Sequence, residues 1–74
     1  MTKPIYQRIE GTIVRIEPEY RSALFVIPGD ATLHGCPTRD RAGRDVPVQI
    51  GDPASWWMAG NRVARIYVAG RRVA

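Results

Sequence analysis

Few residues in this chain have types and spacing suited to chemistry. It holds one histidine and one cysteine, His34 and Cys36. Two positions apart on an extended chain, they share a face. A shared face would suit two metal ligands, or a thiol beside its base. A closed zinc site takes four ligands, however, and there is no second histidine and no CxxC pair. Asp30 and Asp40 are the carboxylates that would have to complete a set, and nothing in their spacing demands it. The seven Asp and Glu residues are scattered, mostly in turn sequences, so no acid–base pair stands out. Gly29-Asp30, Gly43-Arg44 and Gly51-Asp52 are turn dipeptides and not a phosphate-cradling loop. The expectation is a non-catalytic binding module with no catalytic residue, no metal and no cofactor.

Binding chemistry is better represented. Lys and Arg number eleven against seven Asp and Glu, a formal charge of +4, and ten of the eleven cations are arginine. The isoelectric point is near 10.0. Arginine offers a planar fork that fits phosphate or carboxylate and stacks on rings. The closing stretch Gly60–Ala74 concentrates this. From Arg62 to Ala69 the residues favour a strand, with Ala64, Ile66 and Val68 on one face and Val63, Arg65 and Tyr67 on the other. A cation and a flat ring on one strand face is the combination that single-stranded nucleic acid uses. Tyr6 and Arg8 form a second such pair near the start of the chain, with Arg15 further along the same segment. Arg39, Arg41 and Arg44 lie in a polar loop, and Arg71 and Arg72 follow the closing strand. These ten residues are the candidate nucleic-acid contacts, to single-stranded DNA or RNA or to a nucleoprotein. Trp56 and Trp57 are candidates for a protein interface, since an exposed tryptophan is a frequent hot spot. The same features also suit a solvated barrel face, where arginine stems cover apolar surface and charge serves solubility.

Length sets the frame that must position these groups. Seventy-four residues allow one domain, taken as 1–74, with one core. A chain this short buries only about 60% of its unfolded surface, so self-association or a partner would help it. A single cysteine provides no internal disulfide and suits a reducing compartment. A hydrophobic share of 45% argues against disorder. No apolar run approaches the roughly 18 residues of a membrane span. The first residues lack the apolar core of a secretory signal. A cytoplasmic, non-membrane protein is the expectation.

Along the chain, residues 1–4 read as a lead-in and Ile5–Glu17 as one long strand with a fault. Ile5, Gln7 and Ile9 share a face, and after Gly11 the apolar set shifts to Thr12, Val14 and Ile16, opposite Ile13 and Arg15. A phase shift at glycine predicts a β-bulge there. Pro18–Arg21 is a turn. Ser22–Ile27 is an apolar run that reads as a strand covered on both faces. Pro28-Gly29-Asp30 is a turn, and Ala31–Cys36 a weaker strand. Pro37–Asp45 is a solvated loop of alternating charge. Val46–Ile50 alternates, with Val46, Val48 and Ile50 inward. Asp52–Gly60 is the one helical candidate: Asp52 suits an N-cap, Pro53 the first position and Gly60 the stop. It is two turns at most, α or 3₁₀.

The order of a long bulged strand, three shorter strands, a short helix and a closing strand resembles the small five-stranded β-barrels of the OB-fold and SH3-like classes. The fold expected is therefore all-β, with one short helix or 3₁₀ turn before the last strand. An OB-fold places its helix between strands three and four; an SH3-like barrel places a 3₁₀ turn before its last strand. The resemblance implies a binding module, and small barrels of both kinds often bind nucleic acid through sheet aromatics and basic loops. The alternative is an adaptor, inhibitor or accessory subunit that binds protein through an edge strand or an exposed tryptophan.

Overall fold

A single long strand places all the others. The computed structural model describes residues 6–74; the expected lead-in and Ile5 lie outside them. Strand β1 is Tyr6–Glu17, followed by a 3₁₀ turn at Pro18–Tyr20. Then come β2 (Ser22–Val26), β3 (His34–Pro37), β4 (Pro53–Ala59), β5 (Arg62–Val68) and β6 (Arg71–Arg72). All pairings are antiparallel, in the order β3-β2-β1-β4-β5-β6. The first half of β1 pairs with β4, from Tyr6 opposite Ala59 to Thr12 opposite Pro53. Its second half pairs with β2, from Thr12 opposite Val26 to Glu17 opposite Ser22. The one sheet curls into a half-barrel that is not closed. Its shortest extent is 18 Å, which leaves room for a single layer of core. Among the described residues, no helix is long and apolar enough to cross a membrane.

The fault in β1 is real, but it is not at Gly11. The register with β2 slips between Ile13 and Arg15, so Val14 is the extra residue. Ile9 and Ile13 face the core before it and Ile16 after it, while Val14 stands exposed. Ile13, expected outward, is fully buried. Gly11 has another task. It lies where β1 passes from one ladder to the other, and a Cβ there would run into the carbonyl of Val26. The glycine admits a close backbone approach.

Four further expectations are corrected. The barrel has six strands and is open, where five closed strands were expected. Residues 53–59 are strand, not helix. Two isolated turns of helix would be marginal, whereas a strand here bonds to β1 on one edge and β5 on the other. Pro53 occupies the first position, where a missing N–H does no harm, and its carbonyl accepts from Ala69 N at 2.8 Å. Val46–Ile50 is a loop, not a strand. Val46 N donates to Thr38 O at 2.8 Å beside an isolated Arg39–Asp45 bridge, so the chain doubles back on itself. Asp52 then closes a turn: its carboxylate accepts from Gln49 N at 2.8 Å and its N–H donates to Gln49 O at 3.1 Å. Val46 is buried and Val48 packs on the core, but Ile50 is exposed. The 3₁₀ turn lies between β1 and β2, away from the last strand.

The core is Ile13, Ala23, Phe25, Cys36, Val46, Ala54, Val68 and Val73. Phe25, Ile13 and Val68 are its largest fully buried side chains, each contributing about 1.5–3 kcal/mol.

Candidate nucleic-acid interface

Strand alternation divides β4 as it divides β1. Ala54 and Trp56 point into the half-barrel, Ser55 and Trp57 away from it. The two tryptophans therefore have different work. Trp56 packs edge-on against Phe25 and His34, with centroids 5.8 Å and 5.0 Å away. Its indole N–H donates to Gly35 O at 2.9 Å, which ties β4 to β3 across the concave side. Its ring is thus engaged with the core and with β3.

Trp57 lies on the outer face, half-buried, in a cross-strand row. Arg8 is directly opposite on β1 and Arg65 directly opposite on β5. The next row runs Glu10, Ser55, Tyr67, Arg72. The Arg8 guanidinium sits over the Trp57 ring, 5.6 Å from the centroid. Arg65 sits over Tyr6 at 5.9 Å. The Trp57 and Tyr67 rings are 6.0 Å apart and tilted by 55°. Three aromatic rings and four guanidiniums thus share one face of four strands, the fourth being Arg62, opposite Ala59 in the row that begins at Tyr6. The β4–β5 register slips between Trp57 and Met58, which lets Arg65 stay level with Trp57. Arg8 also meets Glu10 at 3.3 Å, an exposed pair of small energetic value.

Of the candidate nucleic-acid residues, Tyr6, Arg8, Arg65, Tyr67 and Arg72 come together here. Arg72 Nε also donates to Ala74 O at 3.2 Å. Arg71 is opposite Val68 and so takes the other side of the sheet edge. Arg15 lies beyond the bulge, opposite Leu24 of β2, and meets Glu17 at 3.8 Å. Arg39, Arg41 and Arg44 belong to the loop after β3, which is the opposite edge of the sheet from β6. Arg39 Nε donates to Asp45 at 3.3 Å. Asp40 Oδ1 accepts from the Ala42 and Arg44 backbones at 2.9 Å each, which folds the loop on itself.

Two members of the face were not among the candidates, although alternation before Gly11 already sets Glu10 on the side of Tyr6 and Arg8. Glu10 and Ser55, with Pro53, Ala54, Tyr67 and Gly70, line a shallow cleft of about 130 Å³. Trp57, assigned from sequence to a protein interface, sits in the middle of the aromatic cluster. Alternation along 53–59 is the signal that would have placed it.

His34 and Cys36 do share a face, as expected, but it is the core face. His34 is opposite Phe25, stacked on it at 5.2 Å, and Cys36 is opposite Ala23. His34 Nε2 is buried with no hydrogen-bond partner. The Cys36 thiol donates to Ala23 O at 3.4 Å. Burial pushes that thiol up to about 11, against the pull of the Ala23 bond, so it stays protonated and inert. Asp30 is held below the usual carboxylate range by hydrogen bonds from Thr32, backbone first and then side chain. Among the described residues, no three His, Cys, Asp or Glu side chains group to hold a metal ion.

Comparison of the chain with protein-family models, with curated proteins and with solved structures finds no match.

Proposed function

We propose that this domain binds single-stranded nucleic acid through the outer face of β1, β4, β5 and β6. The observation that carries this is the cluster of Tyr6, Trp57 and Tyr67 interleaved with Arg8, Arg65 and Arg72. Flat rings give bases a stacking surface that tolerates any sequence, and guanidiniums beside them meet the phosphates. A duplex would keep its bases from those rings, so the face favours single strands. Arg71 and the loop arginines Arg39, Arg41 and Arg44 add a general positive field, not contacts within the cluster.

The half-barrel is in keeping with an OB-like module, since a long bent first strand serves both halves. It departs from that pattern in the connection between β3 and β4, which holds no helix, and in its sixth strand. It departs from the SH3-like pattern in the position of its 3₁₀ turn.

The test is a titration into labelled single-stranded DNA and RNA at low and moderate salt, followed by fluorescence anisotropy. The proposal expects binding with a steep salt slope and quenched tryptophan emission. Absent binding at low salt would overturn it.

One observation favours a second reading, a protein partner or a second copy. The sheet is open, so β3 and β6 present edges, and the large apolar side chains of Leu33 and Ile50 are exposed. An added strand would cover such an edge. A mass in solution that rises with concentration and is insensitive to salt would support it.

A further inference from the structure

We infer that the cleft beside Tyr67 selects guanine, with Glu10 as the specificity-determining residue. This rests on the single-strand binding proposed above and concerns the same face.

Glu10 is an anomaly on a surface built to meet phosphates. A carboxylate repels a polyanion, yet this one stands beside Arg8 at the β1 end of the row that runs through Ser55, Tyr67 and Arg72. It also lines a cleft on that face, whose volume of about 130 Å³ is on the scale of a single base. Arg8 holds Glu10 through Oε2 at 3.3 Å. No second ion pair to Glu10 occurs among the described residues. The pair is exposed and holds the carboxylate only loosely, so its oxygens can turn to a ligand. Arg8 itself is shared between Glu10 and the Trp57 ring, which ties the acceptor to the stacking platform.

Unstacked bases on such platforms are discriminated by hydrogen bonds to their Watson–Crick edges. A carboxylate only accepts. Guanine is the base whose Watson–Crick edge offers two adjacent donors, N1–H and the N2 amino group, and these match the two oxygens of a carboxylate. Adenine and cytosine each set an amino donor beside a ring-nitrogen acceptor, and that acceptor would face the carboxylate. Uracil and thymine set one N–H between two carbonyls. A guanine stacked on Tyr67 or Trp57 with its edge toward Glu10 would form the bidentate pair. The other bases would bring an acceptor against a negative charge. Ser55, with a hydroxyl on the floor of the cleft, can serve either as donor or acceptor and leaves the choice to Glu10.

The test compares short labelled homopolymeric and mixed single strands that differ at one central base, guanine, inosine, adenine, cytosine or thymine. They are titrated into the wild type and into Glu10→Gln. The expected result is about a tenfold preference for the guanine strand, the scale of one bidentate base contact. Inosine, which lacks the N2 amino group, should fall between guanine and adenine. Glu10→Gln should remove the preference: the guanine strand should lose most of its advantage, while the other strands bind as tightly or more tightly, since the change also removes a negative charge. Equal affinity for all five strands in the wild type would overturn the guanine inference while leaving single-strand binding intact. A preference that survives in Glu10→Gln would overturn the role of Glu10. Absence of binding to every strand would overturn the underlying proposal, and this inference with it.

Discussion

Arg8 and Trp57 face each other across the β1–β4 ladder, with the guanidinium 5.6 Å from the centre of the indole ring. The pair is the hinge between the electrostatic and the stacking halves of the face. An exposed cation–π contact of this kind contributes about 0.5–1 kcal/mol. Its greater consequence is order, because a ring held by a neighbour gives up less freedom when a base stacks on it.

The first prediction concerns that ring. Trp57→Ala and Tyr67→Ala should each weaken single-strand binding by about 1–3 kcal/mol, the range for removing one ring from beneath a stacked base. Anisotropy titrations at fixed salt read the effect. Trp56→Phe should leave affinity nearly unchanged while lowering stability by about 1–3 kcal/mol, because it removes the bond to Gly35 O and part of the ring packed on Phe25 and His34. If Trp57→Ala binds like the wild type, the stacking face is wrongly placed.

The arginines divide by position. Arg8→Ala or Arg65→Ala should lower the slope of log affinity against log salt by about 0.7 for each phosphate that the variant no longer neutralises. Arg41→Ala and Arg15→Ala, away from the aromatic cluster, should change it less. A series of titrations between low and moderate salt gives the slopes. Equal effects for all four variants would mean that only net charge matters.

The division between face and core was legible in the sequence wherever a strand carries its own alternation. Arg65 and Tyr67 share a face because they are two apart on one strand, and so do Tyr6 and Arg8. The joining of those two pairs was not legible, since it depends on β4 lying between β1 and β5. The end signals of β4 misled. Asp-Pro at its start and Gly at its end are helix punctuation, but here Asp52 closes a turn and Gly60, at φ 64°, opens a two-residue hairpin between Ala59 and Arg62. Local signals identify where the chain turns. What lies between two turns is decided by which partner strands stand ready on either side. Gly11 shows the same limit, because the backbone that crowds it comes from Val26, far along the chain.

Gly11→Ala should therefore destabilise the fold. The new methyl group meets backbone, the carbonyl of Val26, and not a flexible side-chain end. The destabilisation expected is about 1–3 kcal/mol, as for other overpacked sites. Urea denaturation read by tryptophan fluorescence measures it. Gly35→Ala is the comparison: its nearest neighbour is a Leu24 methyl at 3.9 Å, ordinary contact distance, so it should be far milder.

Cys36 gives a pH dependence with a definite sign. Burial raises its thiol from 9.0 to about 11. The folded state holds this proton more tightly than the unfolded chain does. The contribution to stability is constant below pH 9.0 and declines as pH rises toward about 11. A roughly hundredfold difference in proton affinity corresponds to about 2–3 kcal/mol at full effect. Between about pH 8 and about pH 10.5, the denaturation midpoint should fall further for the wild type than for Cys36→Ala, which shares every other titrating group. Parallel declines would exclude the thiol as the source.

The turn between β5 and β6 holds backbone strain at Ala69, which does not line the cleft. β5 and β6 are joined by Ala69 and Gly70, with Val68 opposite Arg71. Both joining residues have positive φ, 51° and 80°. That is the pattern of a type I′ hairpin, which matches the twist of its strands. Gly70 adopts the left-handed region freely, but for alanine it costs about 1–2 kcal/mol. Ala69 is only partly buried, and its N–H donates to Pro53 O at 2.8 Å, a bond that glycine keeps. Ala69→Gly removes the strain and adds some freedom to the unfolded chain, so the two effects oppose. Strain relief should prevail, raising stability by up to about 1 kcal/mol without altering binding. The denaturation midpoint measures the first and the anisotropy titration the second. A lower midpoint would show that packing of the Ala69 methyl on the core outweighs the strain in its backbone.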